Sequence, residues 1–102
     1  MNLPAWPFAD PRNVAVFTTA DVIDRGLPIV HVTHDEDDGG WQFHSAKGVP
    51  EPEDQALAEA RIIALEEIVK QDPTVAELAD LPLGWRALRK RPGSEWRREQ
   101  RA

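Results

Sequence analysis

The chain contains no cysteine. That excludes disulfides, thiolate metal ligands and thiol nucleophiles, and it agrees with a reducing cytoplasm, the compartment expected here. No apolar run comes near the roughly 20 residues that span a bilayer, so no membrane segment is expected. The opening residues, MNLPAWPFADPRN, lack a basic start and an unbroken apolar stretch, and do not read as a secretory signal. Repeats and low-complexity tracts are missing as well. There is no HExxH pair, no GxSxG elbow and no glycine-rich phosphate loop ahead of a helix. On those grounds no catalytic residue, cofactor or resident metal is expected, and the chain does not read as an enzyme.

What remains is an ordinary globular composition. With 102 residues, 41% hydrophobic and 29% charged, the chain fits one domain around a single modest core. The net charge of −6 argues against nucleic-acid binding, but it is unevenly placed. From Arg86 onward seven bases stand against two acids, so the other 85 residues carry −11. An acidic body with a basic end predicts internal charge pairing, or a polar partner surface.

The stretch 28–45 organises the rest. PIVHVTH and WQFHS are strand-like runs on either side of the turn DEDDGG. Gly39, with Asp38 or Gly40, supplies the positive φ that a tight hairpin needs. A register placing Val32 opposite Phe43 gathers Val30, Val32, Trp41 and Phe43 on one apolar face. The same register brings His31 and His44 together on the more polar face.

Upstream, residues 1–12 hold three prolines, Trp6 and Phe8 and read as an extended arm lying across the domain. The pattern predicts a strand over 13–18. It then predicts a short helix over 20–25, with Thr18 and Asp21 as a capping box and Gly26 as its stop. Downstream, Leu57, Ala60, Ala64 and Ile68 form a stripe that Ile62, Leu65 and Val69 widen, which predicts a long helix from about 52 to 71. Asp72-Pro73 starts a second short helix. A strand follows over 85–89, then a turn over 91–94 and, from Trp96, a last short strand or an ordered tail. The single domain is thus expected over 13–98, with a frayed tail over 99–102. The expected class is α+β: a small antiparallel sheet of about four to five strands, with one long and one or two short helices on one face.

Three groups of residues could carry function. His31, His34 and His44 beside Asp35, Glu36, Asp37 and Asp38 could hold zinc or iron, if two cross-strand imidazoles met a carboxylate. The segment GWRALRKRPGSEW alternates tryptophan and arginine, types favoured at protein–protein hot spots; Trp85 and Arg86 are its candidates. The exposed acidic turn suits a protein partner with a basic surface.

The run GLPIVHVTHDEDDGGWQF, then DPTVAELADLPLGWRALR, then PGSEW, resembles a family of small bacterial proteins, DUF2185, also described as Imm33-like. The matching motifs are Gly40-Trp41-Gln42-Phe43, Asp72-Pro73-Thr74-Val75 and Leu83-Gly84-Trp85, and the resemblance covers roughly residues 16 to 98. Gly39-Gly40 departs from relatives that carry a polar residue before the tryptophan. The resemblance implies an α+β domain, an immunity-like role for some members, and no catalytic residue to carry over. The chain is therefore read as a non-enzymatic protein-binding module, immunity-like or regulatory, monomeric or homodimeric. Asp35, Glu36, Asp37, Asp38, His31, His44, Trp85 and Arg86 are its candidate binding residues. Two other readings stand beside it: a metal-dependent enzyme or metal-binding protein using His31 and His44, and a housekeeping domain with a small-molecule ligand.

Overall fold

The computed structural model describes residues 6–47 and 59–101. Strands β1 (Ala15–Thr19), β2 (His31–His34), β3 (Trp41–His44), β4 (Ala60–Ala64), β5 (Trp85–Leu88) and β6 (Arg97–Gln100) form one sheet, in the order β4-β1-β3-β2-β5-β6. Helices α1 (Ala20–Ile23) and α2 (Leu65–Gln71) and a 3-10 helix (Pro73–Leu78) complete the described elements.

The sheet has six strands where about four to five were expected, and the architecture differs from expectation in two further respects. The sheet is mixed, because β1 pairs parallel with β3 at Phe17 and Gln42 while the other ladders are antiparallel. Helix α1 and the loop after it carry the chain over the end of β3, so that β3 sits between β1 and β2. The second correction is the long helix. Of its span, residues 52–58 lie outside the described residues, Ala60–Ala64 is strand β4, and Leu65–Gln71 is helix α2. The apolar stripe that reads as helical period carries two adjacent β-branched residues, Ile62 and Ile63, which suit a pleated surface. Pairing with β1 over five residues, from Ala15 with Ala64 to Thr19 with Ala60, outweighs the weak helix preference of ARIIA. Mostly sheet, with short helices, is the result.

The hairpin has the expected register: His31 faces His44 and Val32 faces Phe43. Gly39 takes φ +71°, and its N–H returns to the Asp35 carbonyl at 2.9 Å. On one sheet face Val16, Val32, Trp41, Phe43 and Ala87 meet Leu65 and Ile68 of α2, Val75 and Leu78 of the 3-10 helix, and Leu81. Phe8 of the N-terminal arm is buried in the same core, edge-on to Trp41 with ring centres 5.3 Å apart.

The end of β1 is tied down differently from the expected capping box. Thr18 donates through Oγ1 to the Phe43 carbonyl at 2.8 Å, which fixes β1 against β3. Thr19 precedes the helix instead and, with Ser45, donates its hydroxyl to the buried Asp21 carboxylate. Burial alone would raise the Asp21 pKa, but those two hydrogen bonds, with the Val22 backbone N–H and the charge of Lys47, together hold the carboxyl below its usual value. Asp72 does cap the next segment, accepting from Thr74 N at 3.1 Å, with Pro73 at the first position of a 3-10 rather than an α-helix. At the other end, Glu99 and Gln100, expected to fray, pair with Arg86 and Trp85, and Arg101 N donates to the Gly84 carbonyl.

Candidate functional site

The β2–β3 turn separates its four acids into two kinds. Asp35 is committed to the fold. Its Oδ1 accepts from Thr33 at 3.1 Å and from Arg101 Nη1 at 2.9 Å, and its Oδ2 accepts from Gln42 Nε2 at 2.6 Å. Glu36, Asp37 and Asp38 are exposed. Among the described residues, Asp37 and Asp38 accept only from backbone N–H groups of the turn itself, at Asp38 and Gly40. The Glu36 carboxylate lies over Gly84, whose φ of +81° and missing side chain leave room for it. Among the described residues, no cation comes within ion-pair reach of these three carboxylates.

The basic end of the chain, by contrast, is largely paired. Arg86 meets Glu99, Arg89 meets Asp72, Arg98 meets Asp80 and Arg101 meets Asp35, all at 2.5–2.9 Å. Arg86, offered by the sequence as a binding residue, is therefore held by its cross-strand acid. Trp85 is half-buried against the core and lies opposite His34 and Gln100.

Two depressions flank the turn. One, of about 430 Å³, is lined by Asp35, Glu36, Asp37, Gln42, Gly84 and Arg101. The other, of about 520 Å³, has Phe17 and Ile62 on its apolar side and Asp38 and Asp35 at its rim. Ile62 is 65% exposed at the centre of β4, at the end of the strand order. Sequence reasoning missed Gln42 and Arg101. The hairpin register could have placed Gln42 opposite Thr33, beside Asp35; Arg101 could not be found without the β5–β6 pairing.

His31 and His44 do come together, with ring centres 5.8 Å apart and planes inclined at 45°. His34 lies on the other face, stacked on Trp41 at 3.9 Å, its Nδ1 donating to the Leu81 carbonyl at 2.7 Å. The expected union of two imidazoles with a carboxylate ligand is not formed: among the described residues, no group of three or more histidine or acid side chains is placed to hold a metal.

His44 is 1% exposed, and burial, reinforced by the His31 ring, pushes its pKa down to about 4. Burial, then Arg86 and Arg101, lowers His31 as well. An unfolded histidine titrates near 6.5, so between that pH and about 4 the unfolded chain binds more protons than the folded one. Stability therefore falls as pH falls through this window. For His44 alone the loss from pH 7 to pH 5 should be about 2 kcal/mol. Urea unfolding at the two pH values measures it, and His44→Gln should flatten most of the slope.

No family model, no curated protein and no solved structure matches this chain. No helix among the described residues is long and apolar enough to cross a membrane.

Proposed function

We propose that this protein is a non-enzymatic module that binds a protein partner with a basic surface, in an immunity-like or regulatory role. The observation that carries the reading is the division among the acids. Asp35 has structural partners, whereas Glu36, Asp37 and Asp38 project from a tight turn with no cation assigned to them among the described residues. Three exposed carboxylates on a turn, without an ion-pair partner among the described residues and in a chain of net charge −6, speed encounter with a basic surface and set its orientation. The adjoining depressions offer room for a partner side chain on either side of the tip.

The test compares the native protein with Glu36→Gln/Asp37→Asn/Asp38→Asn as baits in cell lysate, at low and moderate salt. A basic protein retained by the native bait, released by salt and missing from the variant is the expected result. Identical capture by both baits would remove the turn from the interface.

A further inference from the structure

Lysine and arginine are outnumbered in this chain, 12 against 18 acids, so a cation left without an acid is the exception to explain. Eight of the twelve stand in ion pairs, and Arg12 lies over the Trp6 ring. The remaining three are Lys47, Lys90 and Arg91, which have no ion-pair partner among the described residues. They come from distant parts of the chain, yet all three line one depression.

The fold builds this depression where three neighbouring strands begin or end. Segment 27–30 leads into β2, 45–47 follows β3, and 90–92 follows β5, all at the end of the sheet opposite the acidic turn. Backbone hydrogen bonds brace the walls. Val30 N donates to the His44 carbonyl at 3.0 Å, and the Val30 carbonyl accepts from Arg89 N at 3.0 Å. Lys47 N donates to Ser45 Oγ at 3.2 Å, and Ser45 is itself tied to the buried Asp21. Arg91 opens a turn that Ser94 N closes on its carbonyl at 3.1 Å. Between the cations the lining is apolar, from Leu27, Pro28, Val30 and Pro92. Val30 is buried but stands outside the main core cluster.

The lining selects the ligand. Apolar walls favour a hydrocarbon body, and three cations at the rim favour an anionic head in a site that water screens less than the open surface. Few acids face these cations. Asp21, on which Lys47 acts from beyond ion-pair reach, uses its two carboxylate oxygens on Thr19 and Ser45. Glu95 lines the neighbouring depression, which Lys90 shares. Arg91 supplies a planar fork that matches a carboxylate. At about 280 Å³ the groove is a little smaller than the roughly 300–1,000 Å³ of sites for drug-sized ligands, so its occupant is small. We propose that the groove between Lys47, Lys90 and Arg91 binds a small amphipathic anion, a hydrocarbon body ending in a carboxylate. The acidic turn and this groove lie at opposite ends of β2, so ligand binding here is independent of the protein partner proposed above.

Octanoate is the probe, added to the 15N-labelled full chain while amide resonances are followed. Shifts should concentrate around 27–30, 45–47 and 90–92 and saturate. Octanol, which lacks the charge, and acetate, which lacks the body, should leave them in place at the same concentration. Hexanoate should bind more weakly by about fourfold for each methylene lost. Lys90→Gln/Arg91→Gln changes exposed residues and spares the core, and should weaken octanoate binding at least about tenfold. Lys90→Arg/Arg91→Lys keeps both charges and should retain most of the affinity. Unmoved groove resonances with octanoate, equal shifts with octanol, or undiminished binding by the glutamine variant would each overturn the proposal. So would either of two other occupants. Capture on anionic phospholipid vesicles that the glutamine variant loses would assign the groove to a membrane surface. Self-association in sedimentation that the same variant abolishes would assign it to a second copy of the chain.

Discussion

Arg89→Ala should destabilise the fold by about 3–5 kcal/mol, the range for removing one member of a buried ion pair. The Arg89 side chain is 1% exposed, and every nitrogen of its guanidinium is used. Nε and Nη2 donate to the Ile29 carbonyl at 3.0 and 2.8 Å, Nη1 to Thr74 Oγ1 at 2.9 Å, and Nη2 also to Asp72 Oδ2 at 2.7 Å. Trp96 lies beneath the group, 4.1 Å from ring centre to Cζ. One residue therefore joins the end of β5 to the loop before β2 and to the cap of the 3-10 helix. Truncation leaves a carbonyl and a carboxylate without their donor and opens a gap under Trp96. Arg89→Lys should recover only part of the loss, since an ammonium cannot reproduce the planar fork. Chemical unfolding measures both variants. A loss under about 1 kcal/mol for Arg89→Ala would show that water replaces the guanidinium at little cost.

Trp41→Ala is expected to cost a similar amount, about 3–5 kcal/mol, for a different reason. Trp41 is 2% exposed and joins three layers of the structure. It stacks on His34, meets the edge of Phe8, and donates from Nε1 to Asp10 Oδ1 at 3.0 Å. Removing the ring opens a cavity and also releases the N-terminal arm from the sheet. Amide exchange should therefore rise at residues 8–14 as well as around the cavity. Trp41→Phe keeps an aromatic ring against His34 and loses the Asp10 bond, so its cost should be clearly smaller. An arm that stays protected in Trp41→Ala would mean that Phe8 anchors it alone.

The hairpin was readable in the sequence because its signals agree. Val30, Val32, Trp41 and Phe43 alternate with polar residues on both sides of a turn that ends in Gly39, and only one register buries all four. Ala60–Ala64 was not readable, because its apolar positions satisfy a helical stripe and only the free edge of β1 decides against it. The parallel pairing of β1 with β3 was hidden for a similar reason, since it depends on where a chain crosses over and not on any local pattern. At the candidate site, the four turn acids look equivalent as a run of letters. Thr33, Gln42 and Arg101 make Asp35 a structural residue, and Arg101 lies 66 positions away. The pairings of Arg89 with Asp72, Arg98 with Asp80 and Arg101 with Asp35 were foreseeable as charge balance between an acidic body and a basic end, though not as particular pairs.

If Glu36, Asp37 and Asp38 serve a partner and not the fold, their charges are dispensable to stability. The most direct measurement is equilibrium urea unfolding of Glu36→Gln/Asp37→Asn/Asp38→Asn at low salt, where any electrostatic role is largest. The amides keep the acceptors that Asp38 N and Gly40 N use, so only charge is removed. An unfolding free energy within about 0.5 kcal/mol of the native value is the predicted result. A loss beyond about 1 kcal/mol would show that the carboxylates hold the turn, and would contradict their assignment to a partner.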